Sequence, residues 1–254
     1  MGAYDRGKKK KQNPKIQKAV TLTSVLDEHA PFSFVEAYKT LRTNLEFISN
    51  TNQTRCIVVT SALPEESKST VSLNLAMTLG KGGKSVVVVE CDLRKPTMRR
   101  YLKLERGAKG LSALLAGTAE LEQCVQHVES RGIYALPAGT IPPNPSELLN
   151  QQRMRDLIAA LKEQYDYVIL DAPPVSIVTD AAVVGRMADG ALLVVRSKFA
   201  PTKMVRLAVQ RLQNVDIRVL GVVLTRFSPK KSGWRSGYTY ENYEYGYHQP
   251  RSGK

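Results

Sequence analysis

The 254 residues are 43% hydrophobic, which suits one α/β domain with a sizeable core, and no apolar run approaches the roughly 18 residues of a spanning helix. The three cysteines, Cys56, Cys91 and Cys124, are odd in number and lack metal-ligand spacing, which argues against a disulfide scaffold and for a reducing compartment. The net charge of +14 gathers at the ends: residues 1–18 hold seven basic side chains against one acidic, and the stretch from Arg226 onward six against two. Basic ends suit an acidic partner (a membrane surface, nucleic acid or another polyanion) or simply solubility.

Residues 1–18 are lysine-rich and aperiodic and read as a disordered basic tail, with no apolar core of a secretory signal. Residues 19–32 read as extended. Ser33 and Glu36 have capping-box spacing, and Phe34, Tyr38, Leu41, Leu45 and Ile48 recur at helical intervals, so an amphipathic helix is predicted. Glu36, Lys39 and Arg42 fall three apart on a different face, which suits either a solvated face or a contact with a neighbour.

A short apolar run over 56–59 predicts a strand. It leads into Thr60-Ser-Ala-Leu-Pro-Glu-Glu-Ser-Lys-Ser-Thr70 and then a helical pattern over 71–79, closed by Gly80, Gly82 and Gly83. Strand, loop, Lys-Ser-Thr and helix is the layout of a phosphate-binding loop. Backbone N–H groups and a helix N-terminus cradle phosphates, Lys68 supplies a point charge, and Ser69 or Thr70 offers a hydroxyl to Mg²⁺. The usual motif has glycine directly before the lysine and again earlier; here Ser67 stands before Lys68, and Glu65 follows Pro64. A surface turn before a helix is the competing reading.

The valine run over 85–89 predicts a buried strand that ends in Glu90-Cys-Asp-Leu-Arg-Lys-Pro96, where acidic groups at a strand tip suit Mg²⁺. Helices are predicted over 111–115 and around 121–128, and a strand over 133–136. Pro142-Pro-Asn-Pro145 is a rigid turn, with Ser146 as N-cap of one helix from Glu147 to about Lys162. The strand over 167–170 ends at Asp171-Ala-Pro-Pro174, a Walker B pattern. Asp180 caps a helix through Met187; a strand over 191–195, a helix over 202–213 and a strand over 217–224 follow. Alternating strands and helices predict a doubly wound, mainly parallel sheet. The last stretch has no apolar period and holds Tyr238, Tyr240, Tyr243, Tyr245 and Tyr247 among small and polar residues, so it reads as a flexible tail.

The loop over 60–70, the acidic strand end over 90–96, the carboxylate at Asp171 and the tyrosine-rich tail together resemble the bacterial protein-tyrosine kinases, the BY-kinases of capsule and exopolysaccharide assembly. Further similar stretches are Glu36-Ala-Tyr-Lys-Thr-Leu-Arg-Thr-Asn44, Leu136-Pro-Ala-Gly139 with Pro143-Asn-Pro-Ser-Glu-Leu148, and Gly221-Val-Val-Leu224. The resemblance implies an α/β P-loop fold related to the MinD and ParA ATPases, with a kinase domain over 19–226 between a basic tail over 1–18 and a tyrosine-rich tail over 227–254. It implies ATP, held by Pro64, Glu65, Glu66, Ser67, Lys68, Ser69, Thr70 and Arg226, and Mg²⁺, held by Ser69, Asp92 and Asp171. Lys68, Glu90, Asp92 and Arg94 are the implied catalytic set, with Glu90, beside Asp92, the candidate base; Arg94 either stabilises developing charge or pairs with a carboxylate.

The implied acceptors are the five tail tyrosines, modified mainly between subunits. A ring-like homo-oligomer is implied through Glu36, Lys39 and Arg42, with a membrane-anchored activator, polysaccharide-synthesis enzymes as substrates and a tyrosine phosphatase as partners, and no nucleic acid. The expected location is cytoplasmic, at the inner face of the membrane through a partner. Glu90 stands where the family has Asp, Lys39 where it has Arg, and Thr225 where it has Asn. Two other readings stay open: a ParA- or MinD-like ATPase without kinase activity, although no lysine precedes Lys68 in the loop, and a degenerate scaffold phosphorylated by another kinase.

Overall fold

The computed structural model describes residues 25–227 apart from 28 and 106; the basic stretch over 1–18 and the five tail tyrosines lie outside the described residues. In chain order the elements are α1 (Phe32–Asn52), β1 (Cys56–Ser61), α2 (Lys68–Lys81), β2 (Val86–Glu90), α3 (Met98–Leu102), α4 (Leu111–Leu115) and α5 (Leu121–Cys124). Then come β3 (Gln126–Val128), β4 (Ile133–Leu136), α6 (Pro145–Leu149), α7 (Gln152–Gln164), β5 (Tyr167–Asp171), α8 (Asp180–Gly185), β6 (Gly190–Arg196), α9 (Thr202–Gln213) and β7 (Val219–Thr225). No described helix is long and apolar enough to cross a membrane.

The strands form one sheet in the order β3-β4-β2-β5-β1-β6-β7. Every pairing is parallel except that of β3 with β4. The strands β1, β2 and β5 are buried throughout, and apolar up to their C-terminal ends, because both faces of the sheet are covered. Side chains alternate between the faces. Cys56, Val58, Val87, Val89, Val168 and Leu170 enter one core with Leu157, Ile158 and Leu161 of α7. Ile57, Val59, Val86, Val88 and Ile169 enter the other with Leu45 of α1 and Leu73, Leu75 and Leu79 of α2. The doubly wound, mainly parallel architecture expected from the alternation of elements is the one observed.

Local boundaries differ from expectation in three places. The capping box at Ser33 does not form: α1 starts at Phe32, Pro31 is the N-cap, and no side chain caps the helix. Proline supplies the extended entry and has no N–H to satisfy. The helix expected around 121–128 stops at Cys124, and Gln126–Val128 adds an antiparallel edge strand. The single helix expected from Glu147 is two, with Asn150 capping α6 at its C-terminus and Gln151 extended before α7. Asn144, not Ser146, is the N-cap of α6.

Aspartates hold the strand entrances, opposite the ends that carry the acidic motifs. Asp166 accepts the Ser85 N–H at 2.8 Å and its hydroxyl at 3.1 Å, just before β2. Asp189 accepts the N–H groups of Arg55 and Cys56 at 2.8 and 2.7 Å, and the Lys162 ammonium at 2.7 Å. Burial opposes the charge on Asp189, but the Cys56 N–H, Lys162 and the Arg55 N–H outweigh it and hold the carboxyl below its ordinary range. A lowered carboxyl stabilises the fold fully above its unfolded pKa of about 3.9, and that contribution is lost as pH falls through the folded value. We therefore expect Asp189→Ala to lower stability by about 1–3 kcal/mol at pH 7. In urea titrations across pH, the gap to wild type should shrink below about pH 4; a gap independent of pH would assign the loss to packing.

Candidate active site

Parallel strands bring the C-terminal ends of β1, β2 and β5 side by side: Asp171 lies in register with Val59 on one side and Glu90 on the other. The Asp171 carbonyl accepts the N–H groups of Cys91 and Asp92, at 2.8 and 3.1 Å, so the acidic strand end of β2 is sewn to β5. Lys68 opens α2 above them. Its ammonium lies 2.8 Å from Asp92 Oδ2 and 3.6 Å from Asp171 Oδ1, and the three side chains are only 13%, 8% and 2% exposed. Burial works against the charge on Lys68, but Asp171 and Asp92 overcome it and hold the ammonium above its ordinary range. Burial lifts the Asp171 carboxyl, and Lys68 and Ser69 pull against that lift. The Lys68 ammonium also reaches Ser69 Oγ at 3.4 Å.

The loop before Lys68 adopts the backbone that its motif usually gives to glycine. Glu65 and Ser67 have φ of 63° and 73°. Each left-handed residue costs about 1–2 kcal/mol. Glu66, between them, is fully buried. Its carboxylate accepts the Leu63 N–H at 2.6 Å and the Arg196 N–H at 3.0 Å, and its carbonyl accepts the Thr225 hydroxyl at 3.0 Å. Hydrogen bonds to a charged group contribute about 1.5–3 kcal/mol each, enough to offset the strain. Glu66 is expected among the nucleotide contacts as a loop residue; its carboxylate faces inward and braces the loop against β6, which its sequence neighbours gave no sign of.

The first backbone bond of α2 runs from the Val71 N–H to the Ser67 carbonyl at 2.9 Å. The N–H groups of Lys68, Ser69 and Thr70 therefore have no acceptor within the helix, the usual anion cradle. Ser67 Oγ and Arg226 Nε are buried without a hydrogen-bond partner. Thr225, the neighbour of Arg226, bonds the loop itself. The helix-start N–H groups beside Lys68, with the orphaned Ser67 Oγ next to them, fit a nucleotide phosphate chain. Among the described residues no three His, Cys, Asp or Glu side chains form a metal cluster. A Mg²⁺ site built from a hydroxyl, water, one or two carboxylates and phosphate oxygens needs no such cluster.

Glu90 and Arg94 have further tasks. Glu90 is 1% exposed. Its Oε1 accepts the N–H groups of Thr97 and Met98, at 2.5 and 2.7 Å, and its Oε2 accepts that of Ala138 at 3.0 Å. Burial raises its carboxyl above the ordinary range against the pull of these three donors. Arg94 grips Asp180 through Nε at 2.8 Å and Nη2 at 3.1 Å, and Nη2 also meets Ser146 Oγ at 2.9 Å. Ser146 in turn donates to Asp180 Oδ1. Of the two tasks open to Arg94, pairing with a carboxylate is the one observed. Asp180 and Ser146, expected as helix caps, instead close this three-part clasp; Thr179 is the N-cap of α8.

On α1, Glu36 pairs with Lys39 at 2.7 Å. Arg42 donates to the Thr78 carbonyl of α2 at 3.0 Å, so this arginine is tied within its own chain.

The AAA domain family matches residues 54–218. The tyrosine-protein kinase YwqD of Bacillus subtilis is 38% identical over 205 residues, which are 81% of this chain and 85% of that one. The chain belongs to the bacterial tyrosine-protein kinases. The tyrosine-protein kinase wzc of Salmonella typhimurium is 36% identical over 83% of this chain, yet the match spans only 29% of that longer relative. Among solved structures, the kinase domain of the Escherichia coli tyrosine kinase ETK superposes with a TM-score of 0.73 at 36% identity, covering 81% of each chain. The septum site-determining protein MinD of Pyrococcus horikoshii, complexed with Mg-ADP, gives 0.60 at 25% identity, covering 69% of this chain and 71% of that one. This tyrosine-protein kinase fold therefore shares its P-loop ATPase architecture with MinD.

The strained loop of this kinase yields a direct test. Ser67→Gly removes a left-handed penalty of about 1–2 kcal/mol and adds about 0.5–1 kcal/mol of unfolded-chain entropy. We expect equal or slightly raised stability in urea unfolding and unchanged or tighter ATP binding in calorimetry. A much weaker ATP affinity would make the orphaned Ser67 hydroxyl a ligand in its own right.

Proposed function

We propose that the chain is an ATP-dependent tyrosine autokinase whose acceptors are Tyr238, Tyr240, Tyr243, Tyr245 and Tyr247 of its own tail. The observation that carries this is the buried Lys68 ammonium held by Asp92 and Asp171 at the start of α2. Lys68, the N–H groups over 65–70 and Arg226 would hold the nucleotide, and Ser69, Asp92 and Asp171 would hold Mg²⁺. Bound ATP supplies the γ-phosphoryl group for a transfer that is mostly a matter of positioning and charge neutralisation. The new bond joins the tyrosine oxygen to phosphorus as the bond to ADP breaks, and the phenol proton passes to a carboxylate. Asp92 suits that task better than Glu90, whose two oxygens already take three backbone N–H groups. Glu90 then holds the segment after β2 in place, and Arg94 holds it to α6 and α8.

The working unit in this reading is the domain over 19–226, with basic and tyrosine-rich tails on either side. Tails are modified mainly between subunits of a ring formed through the α1 face with Glu36 and Lys39, with Arg42 supporting it from within. The chain would regulate capsular or exopolysaccharide synthesis from the inner face of the membrane, recruited by a membrane-anchored activator and reset by a phosphatase. Polysaccharide-synthesis enzymes are its further substrates.

Mass spectrometry of the purified full chain before and after ATP and Mg²⁺ is the test. Wild type should gain phosphate on the tail tyrosines. Lys68→Met should gain none and lose about 1–3 kcal/mol of stability, because it leaves two carboxylates without their cation. An active chain whose five tail tyrosines are Phe should label the Lys68→Met chain in a mixture. Wild-type activity in Lys68→Met would remove the lysine from its assigned place. A wild type that gains no phosphate would favour a scaffold, and ATP hydrolysis without protein labelling a MinD-like ATPase.

A further inference from the structure

A cleft of about 420 Å³ opens beside Glu90, a volume in the range of small-ligand sites. Glu90, Pro137 and Gly139 line one side, and Arg99, Arg100 and Lys103 line the other. The basic wall is rigidly joined to the acidic strand end. Glu90 takes the N–H groups of Thr97 and Met98, so Arg99 and Arg100 stand within about a turn, and Lys103 within about a turn and a half, of the point where the carboxylate anchors their helix. None of the three forms an ion pair with a carboxylate among the described residues. The Arg100 guanidinium lies over the Tyr101 ring, 5.2 Å from its centre.

The cleft is placed for an acceptor rather than for the nucleotide. The phosphate loop follows β1. The cleft sits at the ends of β2 and β4, on the far side of β5 in the strand order. Asp171, at the tip of β5, lies between the two, and Asp92 follows β2 beside it. Phosphoryl transfer needs attacking and leaving oxygens roughly in line, so donor and acceptor must approach from opposite sides.

We infer that Arg99, Arg100 and Lys103 select the acceptor by binding carboxylates that flank the tyrosine, so that acidic tyrosine segments are preferred. This rests on the kinase reading above. The chain carries such a segment, Tyr240-Glu-Asn-Tyr-Glu-Tyr245. Glu241 and Glu244 are the only acidic residues after Arg226, and each directly follows a tyrosine. Adjacent Cα atoms are about 3.8 Å apart, so a flanking carboxylate stays near the wall while the phenol reaches toward Asp92. The occupant to which this commits is the tail of a second copy.

The test uses full chains: an active donor with its five tail tyrosines changed to Phe, and a Lys68→Met acceptor with an intact tail. Arg99→Ala with Arg100→Ala in the donor should raise the KM for acceptor about three- to tenfold, the range for a few partly exposed charge contacts. The KM for ATP and the kcat should stay unchanged, and added salt should erase the difference. Arg99→Lys with Arg100→Lys should keep most of the acceptor affinity. Glu241→Gln with Glu244→Gln in the acceptor should cause the same loss against the unaltered donor and little further loss against the Ala donor. An unchanged acceptor KM, or losses that simply add, would overturn the inference. Binding of a labelled peptide of residues 236–249 to Lys68→Met protein, followed by anisotropy, reads docking without catalysis. Equal affinity after the two Arg→Ala changes would overturn the inference even if transfer itself failed, whereas absent transfer with charge-dependent docking would count against the kinase reading alone.

Discussion

Two carboxylates that share the end of one parallel sheet have to be neutralised, and the site is built around that need. Asp171 is nearly inaccessible and Asp92 almost so. At the low effective dielectric of such a position, two bare charges repel strongly. Lys68 supplies the cation from the start of α2, where the unpaired N–H groups of the helix add positive potential. In the proposed function a polyanion with its metal would bring negative and positive charge together, taking over Lys68 from the acids and giving them a cation in return.

That exchange demands a loop whose shape does not change, and this chain secures the shape in an unusual way. Glycine normally makes the left-handed turns of a phosphate loop free of strain. Here Glu65 and Ser67 take them. The buried Glu66 carboxylate and the Thr225 hydroxyl tie the strained backbone to the ends of β6 and β7. One consequence reaches beyond stability. Thr225 precedes Arg226, so the brace that holds the loop also sets where Arg226 leaves the sheet.

The parts of the molecule legible in sequence were those set by local periodicity. Apolar runs such as 86–89 and 167–170 announced strands buried on both faces, and Lys68 with Asp171 stood out because phosphate chemistry calls for a lysine at a helix start and a carboxylate at a strand tip. The brace at Glu66 and the clasp of Arg94, Ser146 and Asp180 were not legible. Their partners lie 130 and 86 residues away in the chain, and an aspartate before a helix looks like a cap whether or not it serves as one. The capping box at Ser33 failed for a related reason: spacing permits a cap, but Pro31 already supplied the helix entry. The short β3 carries no alternation long enough to read and exists because β4 offers it an edge.

Glu90 joins these themes. Its place is held by Asp in the family this chain resembles, and one extra methylene extends the carboxylate by about 1.5 Å. In the sequence that difference looks like a small displacement of a catalytic group. In the structure the longer side chain spans from β2 to the N–H groups of Thr97 and Met98 on one side and Ala138 on the other. A shorter side chain on the same backbone could not hold both sides at these distances. The carboxylate therefore fixes the width of the cleft between α3 and the segment after β4. Asp92 spans no such gap: its Oδ2 meets the Lys68 ammonium at 2.8 Å and its Oδ1 accepts the Lys95 N–H at 3.1 Å. The departure from the family pattern thus gives Glu90 a reach that a shorter acid would lack: one carboxylate shapes the cleft, and the other pairs with Lys68.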